Sequence, residues 1–140
     1  MGRVVACLAL IAAVAAWPGT PAAGDAADQA AIIAVIRAQL DAFRRDAAAE
    51  AFAYASPSIQ RAFRTPDAFM AMVRGGYRPA YRPRSVDFLD LVTTSGGLTQ
   101  RVLFVGPDGA PVVAHYHMQR QPDGSWRIDG VTLYDSSQPV

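Results

Sequence analysis

The chain has no lysine: all thirteen of its basic residues are arginine. Glutamate is nearly absent too, since Glu50 stands alone among twelve acidic residues. The opposite charges almost cancel, leaving a formal net charge of +1. That balance argues against a protein that grips nucleic acid, because neutralising phosphates takes a concentrated cationic excess. The arginines are scattered along the whole length and alanine is abundant, so the bias reads as the coding preference of a GC-rich genome. Cysteine is equally scarce, with Cys7 the single example. The body of the chain therefore holds no disulfide and no thiol nucleophile. It also lacks a glycine-rich phosphate loop, a Gly-x-Ser-x-Gly elbow and a His-Glu-x-x-His helix. These absences exclude the commonest nucleotide-binding, hydrolase and metalloprotease signatures, and no cofactor is expected. No internal repeat and no low-complexity linker divides the chain.

What is present begins with a leader-like segment. Arg3 supplies a short positive start, and Val4 to Ala16 runs thirteen residues without a charge. Trp17, Pro18, Gly19 and Pro21 then break any helix, and small residues follow at Ala22, Ala23 and Gly24. Charged, apolar and small-residue regions in that order predict a signal peptide over residues 1–23, cleaved near Ala22 or Ala23 or at an earlier small-x-small site. Thirteen apolar residues fall short of the roughly 20 that a spanning helix needs, so an uncleaved anchor is the lesser alternative. Cys7 follows only Val4, Val5 and Ala6 after the charged start, too little apolar sequence for a lipid-anchor cysteine. The expected location is periplasmic or secreted, with no membrane attachment after cleavage. Residues 24–140 then form a single domain, large enough to bury roughly two-thirds of the surface its unfolded chain exposes.

Within that domain the hydrophobic period changes once. Over residues 28–45, Ile32, Ile36, Leu40 and Phe43 recur at four, four and three, which predicts an amphipathic helix with Asp28 as its N-cap. Polar Arg37, Gln39, Asp41, Arg44 and Arg45 are assigned mostly to its other faces. Asp46 to Tyr54 is alanine-rich and anchored by Phe52, and reads as a short second helix or a continuation after a bend. Ser56-Pro57 and Thr65-Pro66 each place a hydroxyl at an N-cap and proline at the first helical position. Gly75-Gly76 closes the second of these helices. Tyr77 to Arg84 contains Pro79 and Pro83 and predicts an extended connector. Four strand-like runs follow, Ser85 to Thr93, Leu98 to Val105, Pro111 to Arg120 and Trp126 to Tyr134. Ser95-Gly96-Gly97, Gly106-Pro107-Asp108-Gly109 and Pro122-Asp123-Gly124 separate them, and turns that short join antiparallel neighbours. The expected fold is α+β, with N-terminal helices packed on a curved four-stranded antiparallel sheet.

Helices followed by such a sheet resemble the nuclear transport factor 2-like, cystatin-like cone superfamily. The run Pro122-Asp123-Gly124-Ser125-Trp126-Arg127-Ile128-Asp129-Gly130 looks like that superfamily's last hairpin. More narrowly, the chain resembles the exported bacterial family called domain of unknown function 4864. The residues that carry this likeness are Ile36-Arg37-Ala38-Gln39-Leu40-Asp41-Ala42-Phe43, Ala53-Tyr54-Ala55-Ser56-Pro57-Ser58-Ile59-Gln60, Tyr81-Arg82-Pro83-Arg84-Ser85 and Trp126-Arg127-Ile128-Asp129-Gly130. The resemblance implies a fold and an exported location, and it implies no activity.

Three clusters carry candidate chemistry. The first is the connector, where Arg74, Arg78, Arg82 and Arg84 alternate with Tyr77 and Tyr81. Guanidinium forks grip carboxylates and phosphates, and tyrosines add amphipathic contact surface. Tyr54, Tyr77, Tyr81, Arg82 and Arg84 are therefore the expected ligand-binding residues of a non-enzymatic binding or accessory module. Its partner would be a small anionic molecule or another protein; the plainer reading packs the rings on the helices and leaves the arginines solvated or paired with Asp87 and Asp90. The second is His115 and His117, which share one face of a strand. Two imidazoles without a third ligand predict no metal site, but they suit a homodimer interface or a solvated face. Ala114, Tyr116 and Met118 take the opposite, core-facing side. The third is a carboxylate set, Asp46, Asp87, Asp90 and Asp129. An isomerase- or dehydratase-like enzyme would need one of them inside an apolar pocket, with Asp87 or Asp90 able to point inward; pairing with Arg101 or Arg127 across the sheet is the structural alternative.

Overall fold

The computed structural model describes residues 23–136. The expected signal peptide, through residue 22, lies outside the described residues. Among the described residues five helices precede four strands: α1 (Ala23–Arg44), α2 (Ala48–Ala53), α3 (Pro57–Phe63), α4 (Pro66–Gly76), α5 (Arg78–Tyr81), β1 (Ser85–Thr94), β2 (Gly97–Val105), β3 (Pro111–Arg120) and β4 (Trp126–Asp135). Every strand limit agrees with the sequence reading to within one residue. Among the described residues, no helix is long and apolar enough to cross a membrane.

The helix caps explain the local folding. Ser56 Oγ accepts from Ile59 N–H at 3.3 Å, and Thr65 Oγ1 accepts from Ala68 N–H at 3.2 Å. Each satisfies a first-turn donor that has no partner inside its helix. Asp28 is not a cap: α1 starts five residues earlier, and the Asp28 carboxylate faces Arg120 on β3 at 3.7 Å. Gly75 and Gly76 are the last residues of α4 rather than a left-handed cap, and Tyr77 ends the helix at φ −131°.

The connector differs from expectation. It opens with the single turn α5, with Pro79 in that first turn. There the ring's fixed φ suits a helix and its missing N–H needs no partner. Arg82, just ahead of Pro83, leaves the helical region at φ −139° and ψ 65°, in keeping with the bias of a proline ring against helical geometry in its predecessor.

The sheet is an antiparallel meander in the order β1-β2-β3-β4. Gln100 lies opposite Tyr116, Val102 opposite Ala114 and Phe104 opposite Val112, so these six share the inner face. Val102, Phe104, Ala114 and Tyr116, with Met118, Trp126 and Ile128, meet Ile32, Ile36, Leu40 and Phe43 of α1 and Phe69, Met70 and Val73 of α4 in one core. Each large apolar side chain buried there contributes roughly 1.5–3 kcal/mol. Two bulges, in β1 between Phe88 and Leu91 and in β4 beside Asp129, bend the sheet around the helices. Buried Gln100 stitches the first bulge, donating to Leu89 O at 2.9 Å, Asp90 O at 3.3 Å and Arg101 O at 2.9 Å.

A second seam ties the helices to β4. Ser56 N–H donates to Ile128 O at 2.8 Å, and Ile128 N–H donates to Tyr54 O at 2.9 Å. Ser56 Oγ–H also donates to Asp129 Oδ1 at 2.6 Å. Two-residue spacing thus brings Tyr54 and Ser56 onto the bulged end of β4, and α3 leaves the sheet from a fixed point.

Candidate functional site

The curved sheet and the helices do not fill the space between them. A cavity of about 340 Å³ remains between α1, α3, α4 and α5 on one side and β3 and β4 on the other. Its depth is built from Phe43, Ala55, Phe69, Val73, Ala80, Tyr116 and Ile128, all buried. Its mouth is formed by half-buried Ile59, Phe63, Met72, Tyr77 and Val131. Phe69 anchors the apolar wall, with ring centroids 5.4 Å from Phe52, 5.8 Å from Phe63 and 6.3 Å from Phe43. Tyr77 Oη–H donates to Val131 O at 3.1 Å and pins the α4–α5 corner to β4 beside the mouth. No charged residue lines the cavity among the described residues.

Two polar side chains belong to the wall. Gln39 is 3% exposed and Tyr116 is 1% exposed. The Gln39 amide N–H donates to Ala51 O at 3.2 Å, which turns the other end of the amide away from that carbonyl. Tyr116 packs edge-on against Phe104, with centroids 6.3 Å apart. Burial alone pushes its phenol well above the usual tyrosine value, so the hydroxyl keeps its proton. Sequence reading placed Tyr116 on the core face, where it is, and missed that this face borders a cavity. It grouped Gln39 with the polar residues assigned mostly to the other faces of the helix. The stripe Ile32, Ile36, Gln39, Phe43 runs at four, three and four, and that spacing is the signal that would have found it.

The expected ligand-binding residues do not share the cavity, although Tyr81 and Arg82 are in contact with each other. Tyr77 lines the cavity. Tyr81 and Arg82 instead lock α5 onto the end of α1. Arg82 donates to Phe43 O at 2.6 Å, a carbonyl at the α1 C-terminus that also accepts from Asp46 N–H at 3.1 Å, and to Asp46 Oδ2 at 3.1 Å, while its guanidinium lies 3.9 Å from the Tyr81 ring centroid. The Tyr81 hydroxyl donates to Asp46, and Arg74 donates to the same carboxylate at 3.3 Å. Tyr81 first, then Arg74 and Arg82, hold the Asp46 carboxyl below its usual range despite some desolvation. Tyr54 is half-buried beside β4, where its backbone serves the seam. Arg84 is exposed near the Gly109 turn, with a guanidinium nitrogen 3.5 Å from the position of a Cβ there.

The carboxylates do not form an acid–base pocket. Asp87 is opposite Leu103 on the outer face. The β1 bulge puts Val86, Phe88 and Leu91 on one side, so Asp90 does not share the inner face that strict alternation from Val86 and Phe88 would give it. Asp90 is exposed and pairs with Arg101 at 2.6 Å. Asp129 is exposed and accepts from Ser56. None of the four candidate carboxylates lines the cavity.

His115 and His117 lie on the outer face. His115 stacks 4.6 Å from the Tyr134 ring, and burial there, with Arg101 and His117 nearby, lowers its pKa. His117 shares hydrogen bonds with Thr99 Oγ1 at 3.1 Å and Thr132 Oγ1 at 3.3 Å. Among the described residues, no three His, Cys, Asp or Glu side chains come together as metal ligands.

The family model described as "Domain of unknown function (DUF4864)" matches residues 25–140. No curated protein and no solved structure matches the chain.

Proposed function

The chain belongs to the DUF4864 family, and from that premise we propose that it is a non-enzymatic binding module whose ligand is a small, neutral and mostly apolar molecule. The observation that carries this reading is the 340 Å³ cavity with its aromatic and aliphatic wall. Small-molecule sites are concave, largely apolar and roughly 300–1,000 Å³ in volume. A filled core would have closed this space, because interiors pack to crystal-like density and voids of this size are costly.

The wall also argues against the anionic ligand that the Arg-Tyr connector suggested. Arg82 is committed to Phe43 O and Asp46, and no cation borders the cavity among the described residues. A carboxylate or phosphate buried there would lose its hydration with nothing to replace it. Among the described residues the same lining supplies no carboxylate or imidazole to move a proton, which weighs against an acid–base reading. The amino-terminal pattern of Arg3, an apolar run and small residues supports export to a periplasmic or extracellular location.

Native mass spectrometry of the protein recovered from its exported compartment tests this reading. Extra mass that leaves on mild activation is expected. Bare mass from every preparation, together with unmoved Tyr116 and Val131 resonances on titration with ethylbenzene, would overturn it.

A further inference from the structure

Among the described residues, every fully enclosed side-chain nitrogen and oxygen has a hydrogen-bond partner. The Tyr116 hydroxyl has none among them, and burial is the only influence acting on its ionisation. The Gln39 carbonyl oxygen has none either, since only its N–H is engaged. Both groups are therefore in contact with open space, and the space that both residues border is the cavity. The two residues are only 1% and 3% exposed, and the cavity is an opening that both line. A phenol whose proton is held firmly is a hydrogen-bond donor. An amide oxygen is an acceptor and repels a carboxylate.

Resting on the binding reading above, we propose that Tyr116 and Gln39 determine the specificity of the cavity, and that its occupant is a neutral apolar molecule bearing an acceptor oxygen such as a carbonyl. The occupant's oxygen receives the Tyr116 proton. The apolar remainder fills the space between Phe69, Met72 and Val131. An occupant without that oxygen leaves the phenol desolvated and unpaired, which is the larger cost. Gln39 adds a second discrimination, favouring an occupant with an N–H or O–H and disfavouring an anion.

A matched set of probes tests this: acetophenone, ethylbenzene and benzoate, titrated by NMR into wild type and Tyr116→Phe. Wild type is expected to bind acetophenone about two- to tenfold more tightly than ethylbenzene, the net value of one buried hydrogen bond, and benzoate more weakly than either. Tyr116→Phe should erase the preference by weakening acetophenone and tightening ethylbenzene, which no longer leaves a phenol unpaired. The carbonyl stretch of bound acetophenone should lie below its value in hexane in wild type and return towards it in the variant. Equal affinity for acetophenone and ethylbenzene in wild type overturns the Tyr116 assignment, as does a preference that survives Tyr116→Phe. Benzoate binding as tightly as acetophenone overturns the neutral-occupant part. Failure of all three probes to bind overturns the cavity reading itself. Phenylalanine has the same shape and the lost hydroxyl holds nothing, so the variant should melt within a few degrees of wild type; if it does not fold, the wild-type preference and carbonyl stretch decide alone.

Discussion

At the scale of single residues, Ser56 does more than its sequence context announced. The Ser-Pro pattern marked it as an N-cap, and it is one. The bond to Asp129 and the backbone pairing with Ile128 were not legible, because they depend on where the bulge in β4 puts Asp129. Ser56 is 0% exposed, so water cannot stand in for its hydroxyl once it is removed. Ser56→Ala should therefore destabilise the domain by about 1–2 kcal/mol, more than a solvated cap would. A urea midpoint that drops with an unchanged slope would report this. An unchanged midpoint would mean that the hydroxyl contributes nothing beyond what solvent supplies. Gln39 shows the opposite case: residue type placed it on the surface, spacing placed it in the core, and spacing was right. Its polarity misled because a buried amide is tolerated only with partners, and Ala51 O supplies one from another helix.

At the scale of elements, the four strands were readable because alternation and turn residues are local signals. Gly109 and Gly124, at φ +82° and +86°, occupy turn positions that other residues rarely adopt. The inner and outer faces of β1 were not readable, since one bulge inverts them midway. Nor was the helical turn α5 readable, because Pro79 fits a first helical turn as well as an extended connector. What holds α5 is tertiary: Asp46, itself at φ +52°, gathers Tyr81, Arg74 and Arg82 at the end of α1. The Asp46 carboxyl lies below its usual value of 3.8, chiefly through the Tyr81 hydroxyl. A carboxyl lowered on folding adds stability that is complete above the unfolded value and vanishes as pH falls through the folded one. Asp46→Asn tolerates the same positive φ and removes only the charge. The gap in melting temperature between wild type and Asp46→Asn should be constant above pH 5 or so, then close on acidification below about pH 4. Contributions from Asp90 and Asp123, also lowered, cancel in that comparison. A gap that stays open at pH 2 would show that Asp46 holds α5 without its charge.

At the scale of the whole molecule, the domain keeps a cavity that its own packing could have closed. Ala80 makes the point. It is 3% exposed, lies on α5 and borders the empty space, where a larger apolar residue would find room. If stability alone had shaped the fold, that room would be an unexplained weakness. If the cavity exists for a ligand, filling it should trade binding for stability. Ala80→Leu adds three carbons, each worth up to ~0.8 kcal/mol when buried. Imperfect fit reduces that sum, and a net gain of about 1 kcal/mol would raise the melting temperature by roughly 3–6 °C in a domain of this size. The same variant should lose binding of ethylbenzene and acetophenone alike, by about tenfold or more, because steric occupation does not distinguish them. Differential scanning calorimetry and the NMR titrations read the two effects separately. A lower melting temperature would mean that α5 cannot accept the added volume. A higher one with intact binding would mean that the probes sit elsewhere and that the cavity serves no ligand.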